Sequence, residues 1–253
     1  MANSFIYGRQ TVLEYVEPKN VRSKAVISIS KVVHSYKSIV IPDAYNYSVP
    51  PNGFPPFQSF NCEVNINCPQ GVDCQMEKHA VALVVNDVVS ACTGFLVQNT
   101  AQDSKPYLMT ANHCFNAGYG TVYDAVSNPS APSWMVYWNY EGATCTNSVS
   151  SGVPTSAGMT VLTNSGATDF ALLRLTEDPK NASGANPYYL GWSRLTTGPS
   201  SSVGIHHPAA DIKKISFDNS QSNPYPASFI TAGPNALWQT TWNVGSMEHG
   251  SSG

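Results

Sequence analysis

Charge is scarce in this sequence: Asp, Glu, Lys and Arg make up 11% of its 253 residues, against about 25% in an ordinary soluble domain. A net charge of −3 and a pI near 6.0 leave no basic field, so nucleic acid is excluded as the expected partner. No run approaches the roughly 18 apolar residues of a membrane span, and no membrane partner is expected. No long segment holds an apolar helical period either. None of the six cysteines forms a C-x-x-C pair, the spacing typical of zinc and thioredoxin-like sites. Met1–Leu13 has no basic patch, apolar stretch or small-residue cleavage site of a secretory leader. The chain stops at Gly250-Ser251-Ser252-Gly253 without a closing strand. Both ends are those expected of a fragment.

What remains is rich in neutral polar side chains. Ser, Thr and Asn take more than a quarter of the chain and do the solvating that charges usually do. Hydrophobic residues at 42% and aromatics at 11% are too many for a disordered chain. With 18 Gly and 18 Pro, the pattern is of many short strands separated by turns. Residues 10–41 carry β-branched runs; residues 49–56 then hold four prolines, which favour an extended linker. We place a domain boundary there, with residues 1–56 as one segment and 57–253 as the main domain. Strands are expected in AVALVV, CTGFLV, PYLMTA, WMVYWNY, GMTVL, DFALLRL, SVGIHH, KKISF, SFITA and LWQTTW. The fold class is all-β, a sandwich or a pair of barrels.

Cys62, Cys68, Cys74, Cys92, Cys114 and Cys145 point to an oxidising compartment. Cys62, Cys68 and Cys74 are evenly spaced and could gather a metal with His79, but structural zinc takes tighter ligand pairs. Disulfides are the expectation, with no metal and no cofactor. A Cys92–Cys114 bridge would close a loop of about 20 residues, worth about 3 kcal/mol in the chain-entropy model.

Three short segments carry chemistry. An apolar strand, Tyr107-Leu108-Met109-Thr110-Ala111, delivers His113 to its end, and Cys114 offers a covalent pin beside it. A general base must be held within hydrogen-bond reach of its partner, although a lone histidine at a strand end is commonly a plain surface residue. Asp169 heads the strand Phe170-Ala171-Leu172-Leu173-Arg174-Leu175. A carboxylate there either caps the turn or, if buried, needs a partner such as an imidazole N–H. Gly250-Ser251-Ser252-Gly253 suits a tight turn that exposes a hydroxyl and gathers backbone N–H groups, but such tetrapeptides are also common in linkers. The order His…Asp…Ser is that of chymotrypsin-type barrels.

Across residues 62–253 the chain resembles the lysyl endopeptidase group of bacterial trypsin-like serine proteases. CTGFLVQNTAQDSKPYLMTANHC, VYWNYEGATC, TDFALLRL, GWSR, GIHHPAADIKKIS and EHGSSG carry the resemblance, in order. Residues 10–41, with LEYVEP, resemble the strand-rich pro-segment of such enzymes. The resemblance implies a double β-barrel, with His113 as general base, Asp169 as its orienting acid and Ser252 as nucleophile. It implies an oxyanion hole from the N–H groups of Gly250 and Ser252, and disulfides Cys92–Cys114 and Cys68–Cys145. Cys62 would pair with a cysteine beyond Gly253, Cys74 has no counterpart, and the two could instead pair with each other. Cleavage after basic residues such as Lys is implied by the family alone, because the pocket acid falls beyond Gly253.

The resulting expectation is a secreted, monomeric serine endopeptidase acting on protein or peptide substrates, its second barrel incomplete, and residues 1–253 by themselves nearly inactive. Two alternatives stay open at this point: an inactive fragment, and a secreted β-rich binding or adhesion module. His206 and His207 are adjacent on an expected strand and therefore face opposite ways, which argues against a shared metal. One of them would approach the cleft, or both would serve structural hydrogen bonds. Trp134, Trp138, Trp192, Trp238 and Trp242 are expected in the core.

Overall fold

The computed structural model describes residues 59–85, 91–115, 133–147, 153–225 and 237–253. The expected pro-segment and linker of residues 1–56 and the strand expected at 228–232 lie outside them. Strands and short 3-10 turns make up the regular structure of the described residues, which contain no α-helix. The all-β expectation holds.

Seven strands build one antiparallel sheet: β2 (Val81–Val85), β3 (Ala91–Val97), β4 (Tyr107–Ala111), β5 (Met135–Trp138), β6 (Thr155–Ala157), β7 (Met159–Ser165) and β8 (Phe170–Leu175). Their order is β6-β5-β2-β3-β4-β8-β7. The two edge strands, β6 and β7, are separated in the chain by Gly158 alone. A sheet whose opposite edges are consecutive in sequence has to curl until those edges meet, as in a barrel. Gly158 sits at the seam with φ 74°, a left-handed conformation that suits glycine. Its N–H donates to the Trp134 carbonyl at 2.8 Å, and its own carbonyl accepts from Thr176 N at 2.9 Å.

The β-branched run Val81-Ala82-Leu83-Val84-Val85 explains how the sheet is covered. All five residues are buried, and successive side chains of a strand face opposite sides. Ala82 and Val84 enter a core with Leu96, Leu108, Trp134, Trp138 and Leu173. Leu83 and Val85 join a second core with Tyr137, Tyr140 and Ile212. β2 therefore belongs to both.

The second unit consists of β1 (Val64–Asn65), β9 (Ser202–His206) and β10 (Lys214–Asp218) in the order β1-β10-β9, with β11 (Asn223–Tyr225) paired to β12 (Leu237–Gln239). β1, β6 and β11 were not expected from sequence. They are two or three residues long, too short to display alternation, and Pro224 lies within β11. The expected strand LWQTTW is regular only over its first three residues.

A buried ionic cluster joins the two units. Lys78 Nζ donates to Glu141 Oε1 and to Asn67 Oδ1, both at 2.7 Å, and Lys213 Nζ lies 3.4 Å from Glu141 Oε2. Lys213 is fully buried, and that burial lowers its pKa to about 8 despite the Glu141 charge. Glu141 is pushed up by burial but pulled down further by Lys213 and Lys78, ending below its ordinary value. The tryptophan expectation needs correction. Trp134 and Trp138 are core residues, but Trp192 and Trp238 are 58% and 40% exposed. An indole edge carries a donor that is satisfied at a surface, as Trp192 Nε1 is by the Gln98 carbonyl at 3.0 Å.

Candidate active site

The register of β4 against β8 places His113 beside Asp169. Ala111 at the end of β4 pairs with Phe170 at the start of β8, so the next residues of one strand meet the preceding residue of the other. Asn112 N continues the ladder by donating to the Asp169 carbonyl at 3.1 Å. His113 follows in a single 3-10 turn, Asn112–Phe115. Asp169 has φ 53°, a left-handed conformation that Asp tolerates better than most residues. The bend turns its carboxylate onto His113: Oδ1 accepts the His113 backbone N–H at 2.9 Å and Oδ2 lies 2.6 Å from Nδ1. Asn112 Oδ1 is held from behind by Asn164 Nδ2 at 2.7 Å.

Burial raises the Asp169 pKa, but the hydrogen bonds from the His113 side chain and backbone outweigh it, and the carboxyl ends below its ordinary value. An ionised carboxylate only accepts, so Nδ1 carries a proton, and in the neutral imidazole Nε2 is the bare nitrogen. The His113 side chain is 51% exposed. An imidazole fixed in this way can take a proton at Nε2 and be stabilised as it becomes charged.

The Cys92–Cys114 disulfide spans 22 residues and anchors the turn next to His113; Cys68–Cys145 spans 77 residues. Cys62 and Cys74 carry free thiols. Cys92, His113 and Cys114 bring ligand-type atoms within 4.8 Å of one another, but the two sulfurs are bonded to each other. His79, considered beside the cysteines as a ligand, instead sets Nδ1 3.0 Å from Asn139 Oδ1. Replacing Cys92 and Cys114 together by Ala is expected to lower stability by about 3 kcal/mol, measured as a shift in the urea midpoint. A midpoint unchanged in the double variant would mean the bridge constrains nothing.

Thr93, one residue along β3, clasps the Gly250–Gly253 turn. Its N–H donates to the Ser252 carbonyl at 2.7 Å, and its Oγ1 donates to the Gly250 carbonyl at 3.1 Å while accepting from His207 N at 3.0 Å. The Ser252 carbonyl also lies 3.9 Å from Cys114 Sγ, so the turn rests against the disulfide that neighbours His113. Gly250 has φ 88°, and a Cβ there would stand 2.9 Å from Ala210 N and 3.0 Å from the His207 carbonyl. Only glycine fits that approach. With two turn carbonyls drawn toward Thr93, the N–H groups of Gly250 and Ser252 meet no acceptor among the described residues.

Ser251 Oγ is held inward, accepting from Glu248 N at 3.1 Å and lying 2.7 Å from His206 Nδ1. Thr93 and Ser251 were not among the expected site residues, whereas of the two adjacent histidines it is His206 that reaches the turn. Their proximity arises from long-range packing, and no motif spacing announces it.

Residues 57–253 match the family model described as lysyl endopeptidase, C-terminal domain. Among solved structures the chain is similar to the active form of the Rv3671c protease from M. tuberculosis, at 15% identity over 78% of this chain and 75% of that one, with a TM-score of 0.38. It is similar to Deg5 at 15% identity, 69% and 74% coverage and a TM-score of 0.41. A serine endoprotease from Yersinia pestis follows at 14% identity, 70% and 51% coverage and a TM-score of 0.39. Family membership rests on the match over residues 57–253, not on these distant likenesses.

Proposed function

The chain belongs to the lysyl endopeptidase C-terminal domain family, and on that premise we propose that it cleaves peptide bonds through His113, Asp169 and Ser252. Membership makes it a trypsin-like serine endopeptidase, a hydrolase whose substrates are proteins or peptides. The observation that carries the finer reading is the Asp169 carboxylate against His113 Nδ1 at 2.6 Å, beside a disulfide on which the Ser252 turn rests.

In this mechanism Ser252 Oγ attacks the scissile carbonyl while His113 Nε2 takes its proton. The tetrahedral oxyanion receives the N–H groups of Gly250 and Ser252, which donate to nothing else among the described residues. Protonated His113 then passes the proton to the leaving amine, and an acyl-enzyme remains on Ser252. Water, activated by the same histidine, releases the acid. Asp169 stays ionised throughout and holds the imidazole tautomer.

The family points to cleavage after basic residues, lysine first. The disulfides suit secretion, and residues 1–56 are assigned as a pro-segment that makes the protein a zymogen, active as a monomer after removal. A fluorophosphonate tests the core of this reading. With full-length protein freed of its pro-segment, mass spectrometry should place one phosphonyl adduct on Ser252. An adduct on Ser251, or none, refutes the assignment.

A further inference from the structure

Behind the turn lies a buried polar chain that the proposed reaction does not use. His206, at the end of β9 and 2% exposed, has Nδ1 2.7 Å from Ser251 Oγ and Nε2 3.1 Å from Ser216 Oγ. Glu63 Oε2 lies 3.7 Å from Nε2, with the Glu63 side chain fully buried. Donor counting fixes the direction of the Ser216 bonds and, in a neutral ring, of the Ser251 bond. Ser216 has one hydroxyl proton, and it goes to the Ser246 carbonyl at 2.9 Å, which can only accept. His206 Nε2 must therefore donate to Ser216. A neutral imidazole carries one N–H, so Nδ1 is the acceptor and takes the Ser251 hydroxyl proton. Ser251 Oγ in turn accepts the Glu248 N–H at 3.1 Å. Each step is satisfied only if His206 is neutral and protonated at Nε2.

We propose that His206, in this tautomer, is a positioning residue: by accepting from Ser251 it fixes the turn that aims the Gly250 and Ser252 N–H groups. The proposal rests on the assignment of Ser252 as nucleophile, and it adds a residue that never touches substrate. Protonating His206 turns Nδ1 into a donor, removes the acceptor for the Ser251 hydroxyl and loosens the turn.

Glu63 from the segment before β1, Lys214 on β10 and His207 interact with His206, while Glu248 of the turn acts on Glu63 and Lys213 on His207. Burial, then the Lys214 charge, lowers the His206 pKa from 6.5 to about 4. Its contribution to stability is complete above 6.5 and is lost as the pH falls through about 4. Glu63 behaves oppositely: burial and the Glu248 charge raise its pKa from 4.5 to about 7. Its contribution is complete below 4.5 and is lost as the pH rises through about 7.

The test compares fluorophosphonate labelling rates of the full-length protein freed of its pro-segment, as wild type, His206→Ala, Ser251→Ala, the double variant, His206→Asn and His206→Gln. Small misplacements of a catalytic group cost up to about a hundredfold. Each single alanine variant is expected to label about tenfold more slowly, with the double variant no slower than either. Asn, whose Oδ1 can replace Nδ1 as acceptor, should recover most of the rate, and Gln should not. On a peptide ester the loss should fall on kcat rather than KM. Additive alanine effects, or Asn no better than Ala, would overturn the proposal. Nitrogen-15 NMR of the full-length protein decides it independently of activity. His206 should show a bare Nδ1 and a protonated Nε2, and the Gly250 and Ser252 amides should shift as the ring titrates in acid. A protonated Nδ1 at neutral pH, or amides indifferent to that titration, also overturns it. Absence of wild-type labelling would defeat the nucleophile assignment alone, leaving the NMR result to decide the role of His206.

Discussion

Ser252→Ala, in the full-length protein freed of its pro-segment, is expected to lower kcat on a peptide ester by about a million-fold, and Asp169→Asn by about ten-thousand-fold, with KM little changed. The second figure follows from which carboxylate oxygen does what. Oδ1 accepts the His113 backbone N–H and Oδ2 faces Nδ1. In the Asn variant the amide oxygen keeps the backbone contact, because only an acceptor can serve there. The amide NH₂ then faces Nδ1 and makes it an acceptor. The imidazole proton moves to Nε2, which can no longer take one from Ser252. The fold should survive, since the backbone contact is retained. In the wild type the Asp169 contribution to stability is complete above the ordinary value of 3.8 and is lost as the pH falls through the lower folded value. The Asn variant should therefore show a weaker dependence of stability on acid. A kcat within tenfold of wild type for Asp169→Asn would remove the carboxylate from the mechanism.

Glu141→Gln is expected to destabilise the protein by about 3–5 kcal/mol, the usual cost of removing one partner from a buried ion pair. Glu141 is the acidic partner of both Lys78 and Lys213, and Lys213 is wholly buried. The glutamine keeps the shape and hydrogen-bonding capacity of the side chain but leaves two ammonium groups without a counter-charge. Urea unfolding at neutral pH gives the magnitude. Pairing Lys213→Met with Glu141→Gln should recover part of the loss, because one orphaned charge disappears with it. A loss below about 1 kcal/mol for Glu141→Gln would mean that water screens the cluster.

The strands were readable where apolar runs were long enough and bounded by turn residues. Val81–Val85, Ala91–Val97 and Phe170–Leu175 could be marked from residue types alone, and His113 and Asp169 stood out as polar residues at strand ends. The local geometry that joins them could not be read. Nothing in Thr168-Asp169-Phe170 announces a positive φ, and only the register of β4 on β8 brings that bend to His113. The adjacent histidines could be assigned to opposite faces, and they part as expected: His206 toward Ser251, His207 toward the Asp211 carbonyl at 3.0 Å and the Tyr140 ring. What each would meet was hidden, because Ser251 is 45 residues from His206 and occupies the variable place of G-x-S-G. Exposed Trp192 and Trp238 escaped a reading based on hydrophobicity, which ignores the indole donor.

The clasp at Thr93 also governs timing. It reaches 157 residues along the chain to Gly250, whereas His113 and Asp169 are 56 residues apart and meet once β4 and β8 pair. Chains are synthesised from the N-terminus, and early units fold first. The base and its carboxylate can thus be assembled on a nascent chain, on the same sheet that presents Thr93, before the serine turn has been made. On the proposed mechanism, hydrolytic competence then arrives last, when the turn reaches Thr93.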